Sequence, residues 1–141
     1  MYIGQYIHAL DTKNRVFLPV KFRGKNKVFV ITRGLESCLY LYDAAVWKKV
    51  LEKLDNLSLK NKLQERAFKR ALLSGAHEVT PDSQGRILIP QALKGYASIV
   101  SNIIIIGVGN KLEIWDREAW EKYYEQHADV SFRSLAGKLE I

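Results

Sequence analysis

Asp11-Thr12-Lys13-Asn14-Arg15-Val16-Phe17-Leu18-Pro19 returns 71 residues later as Asp82-Ser83-Gln84-Gly85-Arg86-Ile87-Leu88-Ile89-Pro90. Gly24 has its counterpart in Gly95 at the same offset. At slightly larger offsets, Val28-Phe29-Val30-Ile31 matches Ile103-Ile104-Ile105-Ile106, and Leu39-Tyr40-Leu41-Tyr42-Asp43 matches Leu112-Glu113-Ile114-Trp115-Asp116. Trp47 and Trp120 each stand four residues beyond those aspartates. Self-similarity of this kind sets the architecture before any single element is assigned. The chain divides into one repeat over residues 1–50, a helical connector over 51–74, a second repeat over 75–127 and a tail over 128–141.

Each repeat carries its own local instructions. Asp11 and Asp82 open a tight turn whose fourth residue, Asn14 or Gly85, tolerates a left-handed backbone, and the arginine that follows begins an apolar run of strand type. The pattern predicts strand, turn, strand. Pro19 and Pro90 stand where a first helical position would, with Gly24 and Gly95 as stops, so one short helical turn is expected between them. Two strands follow, then helices capped by Asp43 and Asp116 that run to about Leu54 and His127. In the connector, Ser58 is expected to cap a third helix ending at Gly75. It places Leu59, Leu63, Phe68, Ala71 and Leu72 on one face and Lys60, Lys62, Arg66, Lys69 and Arg70 on the other. A repeat this small buries little surface alone, so the two are expected to interleave strands around one shared core as a pseudo-twofold, mainly β domain with peripheral helices.

Composition excludes several classes. The 141 residues are 48% apolar and 26% charged, with twelve Pro and Gly together, which describes a folded chain of about one domain. The longest apolar run, Ile103–Ile106, is far short of the roughly eighteen residues of a membrane span, and Met1-Tyr2-Ile3-Gly4 brings no basic region into an apolar stretch. A cytoplasmic chain with no membrane partner is expected. One cysteine, Cys38, makes no internal disulfide, and with three scattered histidines it builds no four-ligand zinc site, so no metal or cofactor is expected. The net charge of +7 is uneven: +6 over residues 1–34, −2 over 35–47, +5 over 48–70 and −2 over 71–141. A basic face for a polyanion and an ordinary solubility charge both fit this balance.

The paired Asp-x-x-x-Arg motifs, in register with the prolines, glycines and tryptophans from Tyr2 to about Glu125, resemble the MraZ family, whose halves are similar to the swapped-hairpin DNA-binding domains of the AbrB and SpoVT type. That resemblance implies a β-barrel-like domain of two interleaved repeats. It further implies a nucleoid-associated bacterial transcriptional regulator that represses its own cell-division and cell-wall operon. Its partners would be short direct repeats in double-stranded promoter DNA and further copies of itself in a ring-shaped homo-oligomer, with no small-molecule substrate. Asn14 stands where the family pattern usually has Gly, a mild departure given its tolerance of the left-handed region.

Carried over to this chain, the resemblance makes Arg15 and Arg86 the DNA-reading residues. Arginine can fork onto guanine O6 and N7 or onto a phosphate, and a hairpin turn is narrow enough to enter the major groove. Lys13, Asn14, Lys21 and Arg23, with Lys25 and Lys27, flank Arg15 closely enough to supply positioning contacts. Arg86 has only Lys94 nearby in sequence, so the first repeat is expected to supply most of the affinity. Asp11 and Asp82 are expected to brace the turns, since a carboxylate facing phosphate is repelled.

Blander and rival roles exist for these residues. The Asp–Arg spacing also suits a purely structural ion pair. Tyr40, Tyr42, Trp47, Trp115 and Trp120 sit on strand faces and first helical turns, where core packing is favoured over base stacking. The basic face of residues 60–70 suits a solvated helix face, a second DNA contact or a subunit contact, and the solvated reading is favoured. No catalytic residue is expected: His77-Glu78 lacks a second zincin histidine, and Cys38 lies in an apolar strand. The alternatives are an interaction module of the antitoxin type and a hydrolase built from the two Asp/Arg pairs.

Overall fold

The computed structural model describes residues 1–24 and 28–141, so Lys25 and Lys27 lie outside the described residues. In the first repeat, β1 (Gln5–Ala9) and β2 (Arg15–Phe17) flank the turn, α1 (Val20–Arg23) follows Pro19, and β3 (Phe29–Arg33) and β4 (Leu39–Asp43) lead into α2 (Ala44–Asp55). The connector holds α3 (Lys62–Ser74). The second repeat supplies β5 (His77–Val79), β6 (Arg86–Leu88), α4 (Gln91–Tyr96), β7 (Asn102–Gly107), β8 (Leu112–Asp116) and α5 (Arg117–Tyr123). A single π-type turn, Tyr124–Ala128, then passes into α6 (Asp129–Leu135).

The strands on either side of each turn do not pair with each other. β1 runs antiparallel to β7, β5 runs antiparallel to β3, and β2 pairs with β6 in a ribbon of its own. The hairpins β3–β4 and β7–β8 stay within their repeats and are joined through β4–β8. The result is a six-stranded antiparallel sheet in the order β1-β7-β8-β4-β3-β5, an order that reads the same from either end when each strand is exchanged for its counterpart.

Burial explains the exchange. Val16, Leu18, Ile87 and Ile89 on and beyond the ribbon are fully or almost fully buried against Ile31, Leu39, Leu41, Ile103, Ile105, Leu112 and Ile114 of the sheet. Each such side chain removed from water contributes about 1.5–3 kcal/mol, and neither repeat alone offers the facing surface. The four isoleucines of β7 lack polar alternation because both sheet faces are covered. Ile103 and Ile105 enter the ribbon-side core, while Ile104 and Ile106 join Cys38 and Trp115 beneath Ala119, Trp120 and Tyr123.

Several sequence expectations need correction. The sheet is not barrel-like: β1 and β5 are its two ends and do not meet, because the β2–β6 ribbon covers the inner face as a separate layer. Pro19 and Pro90 occupy the cap positions immediately before α1 and α4, not the first helical positions. Gly24 does end α1, at φ 59°, but Gly95 lies within α4, which runs to Tyr96. Asn61 caps α3, accepting from the Gln64 N–H at 3.0 Å, while the Ser58 hydroxyl instead meets Lys62 Nζ at 3.1 Å. The last helix continues beyond His127 to Leu135. By contrast, Asp43 and Asp116 cap their helices through Val46 N–H at 2.9 Å and Ala119 N–H at 3.2 Å.

Of the five aromatic residues expected to pack in the core, Trp115 is buried, Tyr40 and Trp120 pack half-buried against its cluster, and Tyr42 and Trp47 are half-buried outside it. Trp115 is buried with its ring centroid 5.2 Å from that of Trp120, and Tyr42 lies 5.6 Å from Trp47. Cys38 is fully buried, and loss of solvent, reinforced by the Glu113 and Glu36 charges, pushes its thiol pKa well up. Such a thiol is a poor nucleophile.

Candidate nucleic-acid interface

Each turn is built around its aspartate. Asp11 Oδ1 accepts the backbone N–H groups of Lys13 and Arg15, both at 2.9 Å, and Oδ2 accepts Arg15 Nε at 2.8 Å. Asp82 repeats the pattern with Gln84 and Arg86 N–H at 2.9 Å and Arg86 Nε at 3.0 Å. Asn14 and Gly85 both adopt the left-handed conformation these turns require, at φ 58° and 81°.

The donors stabilise the ionised carboxylates. Arg15 N–H, foremost, holds Asp11 below the usual carboxylate range, and Arg86 N–H does the same for Asp82. A depressed folded pKa gives a contribution that is complete above the unfolded value of about 3.9 and is lost as pH falls through the folded value. Both turns therefore keep their shape throughout the neutral range. Carbon-detected NMR of the side-chain carboxyls should show Asp11 and Asp82 titrating below the ordinary aspartate value. Midpoints at or above the ordinary value would show that the backbone donors are not engaged in solution.

The ribbon brings the two turns to one place. Arg15 lies opposite Leu88, Phe17 opposite Arg86, and Val16 opposite Ile87. Opposed residues share a face, so with Val16 and Ile87 buried, Arg15, Phe17, Arg86 and Leu88 form the outward face. The two arginine side chains are each 28% exposed, and Arg86 Nη1 reaches to 3.7 Å from Asp11 Oδ2. Asp11 thus stands between both guanidinium groups. With Nε held by a carboxylate, the Arg15 Nη nitrogens find no acceptor among the described residues. An arginine fixed at its root with Nη donors free is suited to a planar oxyanion or a guanine edge.

The cations around the turns are exchanged between repeats. Arg23 Nε donates to Leu18 O at 2.7 Å, and its guanidinium carbon stands 5.4 Å from the centroid of the Phe17 ring. That guanidinium packs on the second turn, where a Cβ on Gly85 would stand 2.8 Å from it. Lys94 Nζ instead reaches the first turn, donating to Asn14 Oδ1 at 2.9 Å, while Asn14 Nδ2 donates to Gln91 Oε1 at 3.1 Å. The expectation of Arg86 with Lys94 as its only cationic neighbour is therefore overturned: strand exchange brings Arg23 to it and gives Lys94 to Asn14. Lys13 and Lys21 are exposed, Lys21 Nζ lying 4.8 Å from the Phe22 ring centroid.

Two neighbours of the first turn escaped the sequence. Lys94 occupies the position equivalent to Arg23 at the 71-residue offset, a signal that the repeat already contained. Gln91 has Val20 as its counterpart, so nothing in the repeat marked it. Among the described residues, no group of three or more His, Cys, Asp or Glu is placed to hold a metal ion, and no helix is long and apolar enough to cross a membrane.

Comparison with known proteins fits this two-turn geometry. The family model described as "MraZ protein, putative antitoxin-like" matches the chain twice, over residues 1–71 and 72–139. The chain belongs to the MraZ family. Each matched segment of the MraZ model contains one braced turn, Asp11 to Arg15 in the first and Asp82 to Arg86 in the second. A relative from Clostridium acetobutylicum named "Transcriptional regulator MraZ" is 51% identical over 93% of this chain and 92% of its own length. Relatives of the same name from Clostridium tetani and Caldanaerobacter subterraneus subsp. tengcongensis are each 46% identical over 99% of this chain, covering 96% and 97% of their own lengths.

Proposed function

We propose that this chain is a DNA-binding transcriptional regulator that recognises short direct repeats in the promoter of its own division and cell-wall operon, and represses it. The observation that carries the proposal is the placement of Arg15 and Arg86 on the same outward face of one ribbon, diagonally opposed and each braced by its own aspartate. Arg15 and Arg86 read base edges, and Lys13, Lys21, Arg23 and Lys94 supply phosphate contacts that fix register. Asn14 holds the first turn against α4. The repeats act as 1–50 and 75–127, related by a pseudo-twofold axis as swapped hairpins, with 51–74 as connector and 128–141 as tail. The protein works in the cytoplasm, on the nucleoid, as a ring-shaped homo-oligomer, so that successive copies meet successive DNA repeats.

The relatives' names favour regulation over catalysis. A hydrolase using the Asp/Arg pairs lacks a suitable acid: both aspartates are held ionised below the usual range, far from the poised value that proton transfer near neutral pH needs.

Titration of fluorescent duplex DNA from the region upstream of its own gene tests the proposal. Each phosphate neutralised contributes about −0.9 to the slope of log K against log salt, so several contacts give a slope steeper than about −2.7. A scrambled duplex should bind more weakly at every salt concentration. Salt-insensitive binding, or equal affinity for both duplexes, would remove the mechanism.

A further inference from the structure

The outward face of the ribbon is half apolar. Its four side chains are Arg15, Phe17, Arg86 and Leu88, and each arginine stands directly opposite an apolar partner, Arg15 across from Leu88 and Arg86 across from Phe17. Of the four, Leu88 is the exposed one, at 53%, while the others are half-buried. A single exposed leucine on a protein surface is ordinary. This one lies beside an arginine whose Nη donors find no acceptor among the described residues, on the face that the proposed function turns toward DNA.

The two apolar positions are counterparts at the 71-residue offset, yet their surroundings differ. The protein itself engages the Phe17 ring: the rings of Tyr6 and His8 in β1 lie 6.3 and 6.2 Å away, centroid to centroid, and the Arg23 guanidinium carbon stands 5.4 Å from its centroid. In the second repeat the residues at the same offset are His77, Val79 and Lys94. Val79 packs into the core and Lys94 donates to Asn14 Oδ1, and Leu88 stays open to solvent.

Chemistry selects what an open leucine can meet at a base edge. In the major groove the bases present hydrogen-bond donors and acceptors to polar side chains, and the C5-methyl of thymine is the apolar group among them. Opposed side chains on an antiparallel pair stand about 4.5–5.5 Å apart at Cβ, and bases along a strand follow at about 3.4 Å, so Leu88 stands one or two base steps from Arg15. We infer that Leu88 is a specificity-determining residue, selecting a thymine through its methyl group within two base steps of the base read by Arg15. This rests on the DNA-reading role proposed above. It also gives the ribbon a direction. The two arginines are braced alike, but the methyl contact belongs to the Arg15 side, so the face reads a site differently in its two orientations.

Deoxyuridine tests the inference, because it pairs as thymine does and lacks the methyl group alone. Fluorescent duplex from the region upstream of the protein's own gene is titrated with the full chain, each thymine of its repeats being replaced in turn. Desolvation of one methyl corresponds to about fourfold in affinity, so one thymine position per repeat is expected to lose about that factor with wild type. Leu88→Ala should bind the thymine and uracil duplexes equally, and Leu88→Met, which keeps an apolar reach, should still prefer thymine. Both variants should keep the wild-type thermal unfolding midpoint, since Leu88 is exposed. The inference is overturned by a wild type indifferent to every thymine methyl, by a preference that survives Leu88→Ala or is lost in Leu88→Met, or by a lowered midpoint in both variants. Arg15→Ala keeps the two readings separable. Loss of specific binding by Arg15→Ala, with no methyl effect in wild type, removes the leucine contact alone, whereas wild-type binding by Arg15→Ala counts against the reading turns.

Discussion

Arg15→Ala is expected to lower affinity for the promoter repeats at least about a hundredfold while leaving the fold in place. One bidentate arginine contact discriminates by about 1–3 kcal/mol, and in a multi-subunit complex every engaged copy loses it together. The folded chain loses little. Asp11 keeps its two backbone donors, and Arg86 Nη1 remains 3.7 Å from it. Exposed or half-exposed ion pairs of this kind add little to stability. Counting cations along the sequence predicts a milder effect for Arg86→Ala, but Arg23 lies against the second turn and Lys94 is bonded to Asn14 in the first. The two single variants are therefore expected to lose affinity to a similar extent. Gel shift with both variants, alongside circular dichroism, decides the matter. Wild-type binding by Arg15→Ala would end the role assigned to the turn, whereas loss of binding together with loss of the β signal would show the arginine to be structural.

Moving the DNA repeats out of phase is expected to have a comparable or larger effect. Under the proposed function one turn reads too few base pairs to specify a promoter, and specificity comes from linked weak contacts whose effective concentration raises affinity by about 10²–10⁴. Inserting about five base pairs turns the next repeat to the opposite side of the duplex, beyond the reach of a neighbouring subunit's ribbon. Binding should then fall to that of a single repeat, much further than one mismatch lowers it. Inserting a full helical turn of about ten base pairs should restore part of the loss if the spacing between subunits is adjustable. Equal affinity for in-phase and half-turn-shifted duplexes would show that each protein reads its site alone.

The sequence by itself determined the repeat, the two turns and the aspartate caps of α2 and α5, because these depend on residues close together along the chain. Asp11 and Asp82 brace their arginines across four residues, Asn14 and Gly85 are types that accept a positive φ, and Asp43 and Asp116 meet N–H groups three residues ahead. The need for a shared core was legible too, since each repeat is too small to cover its own apolar strands. Only the tertiary structure decided which strands share that core. β2 pairs with β6 where Val16 and Ile87, with Leu18 and Ile89 beyond them, bury against sheet strands of both repeats, and β1 pairs with β7 at one end of the sheet; neither pairing is encoded as a local pattern. The same exchange decided the surroundings of the arginines. Arg23 at the end of α1 and Lys94 within α4 each reach the other repeat's turn, so electrostatic neighbours are set by strand pairing and not by distance along the chain. The apolar stripe of α3 shows the complementary limit: helical spacing marked it as a face, but only the packed chain shows that none of its residues is buried.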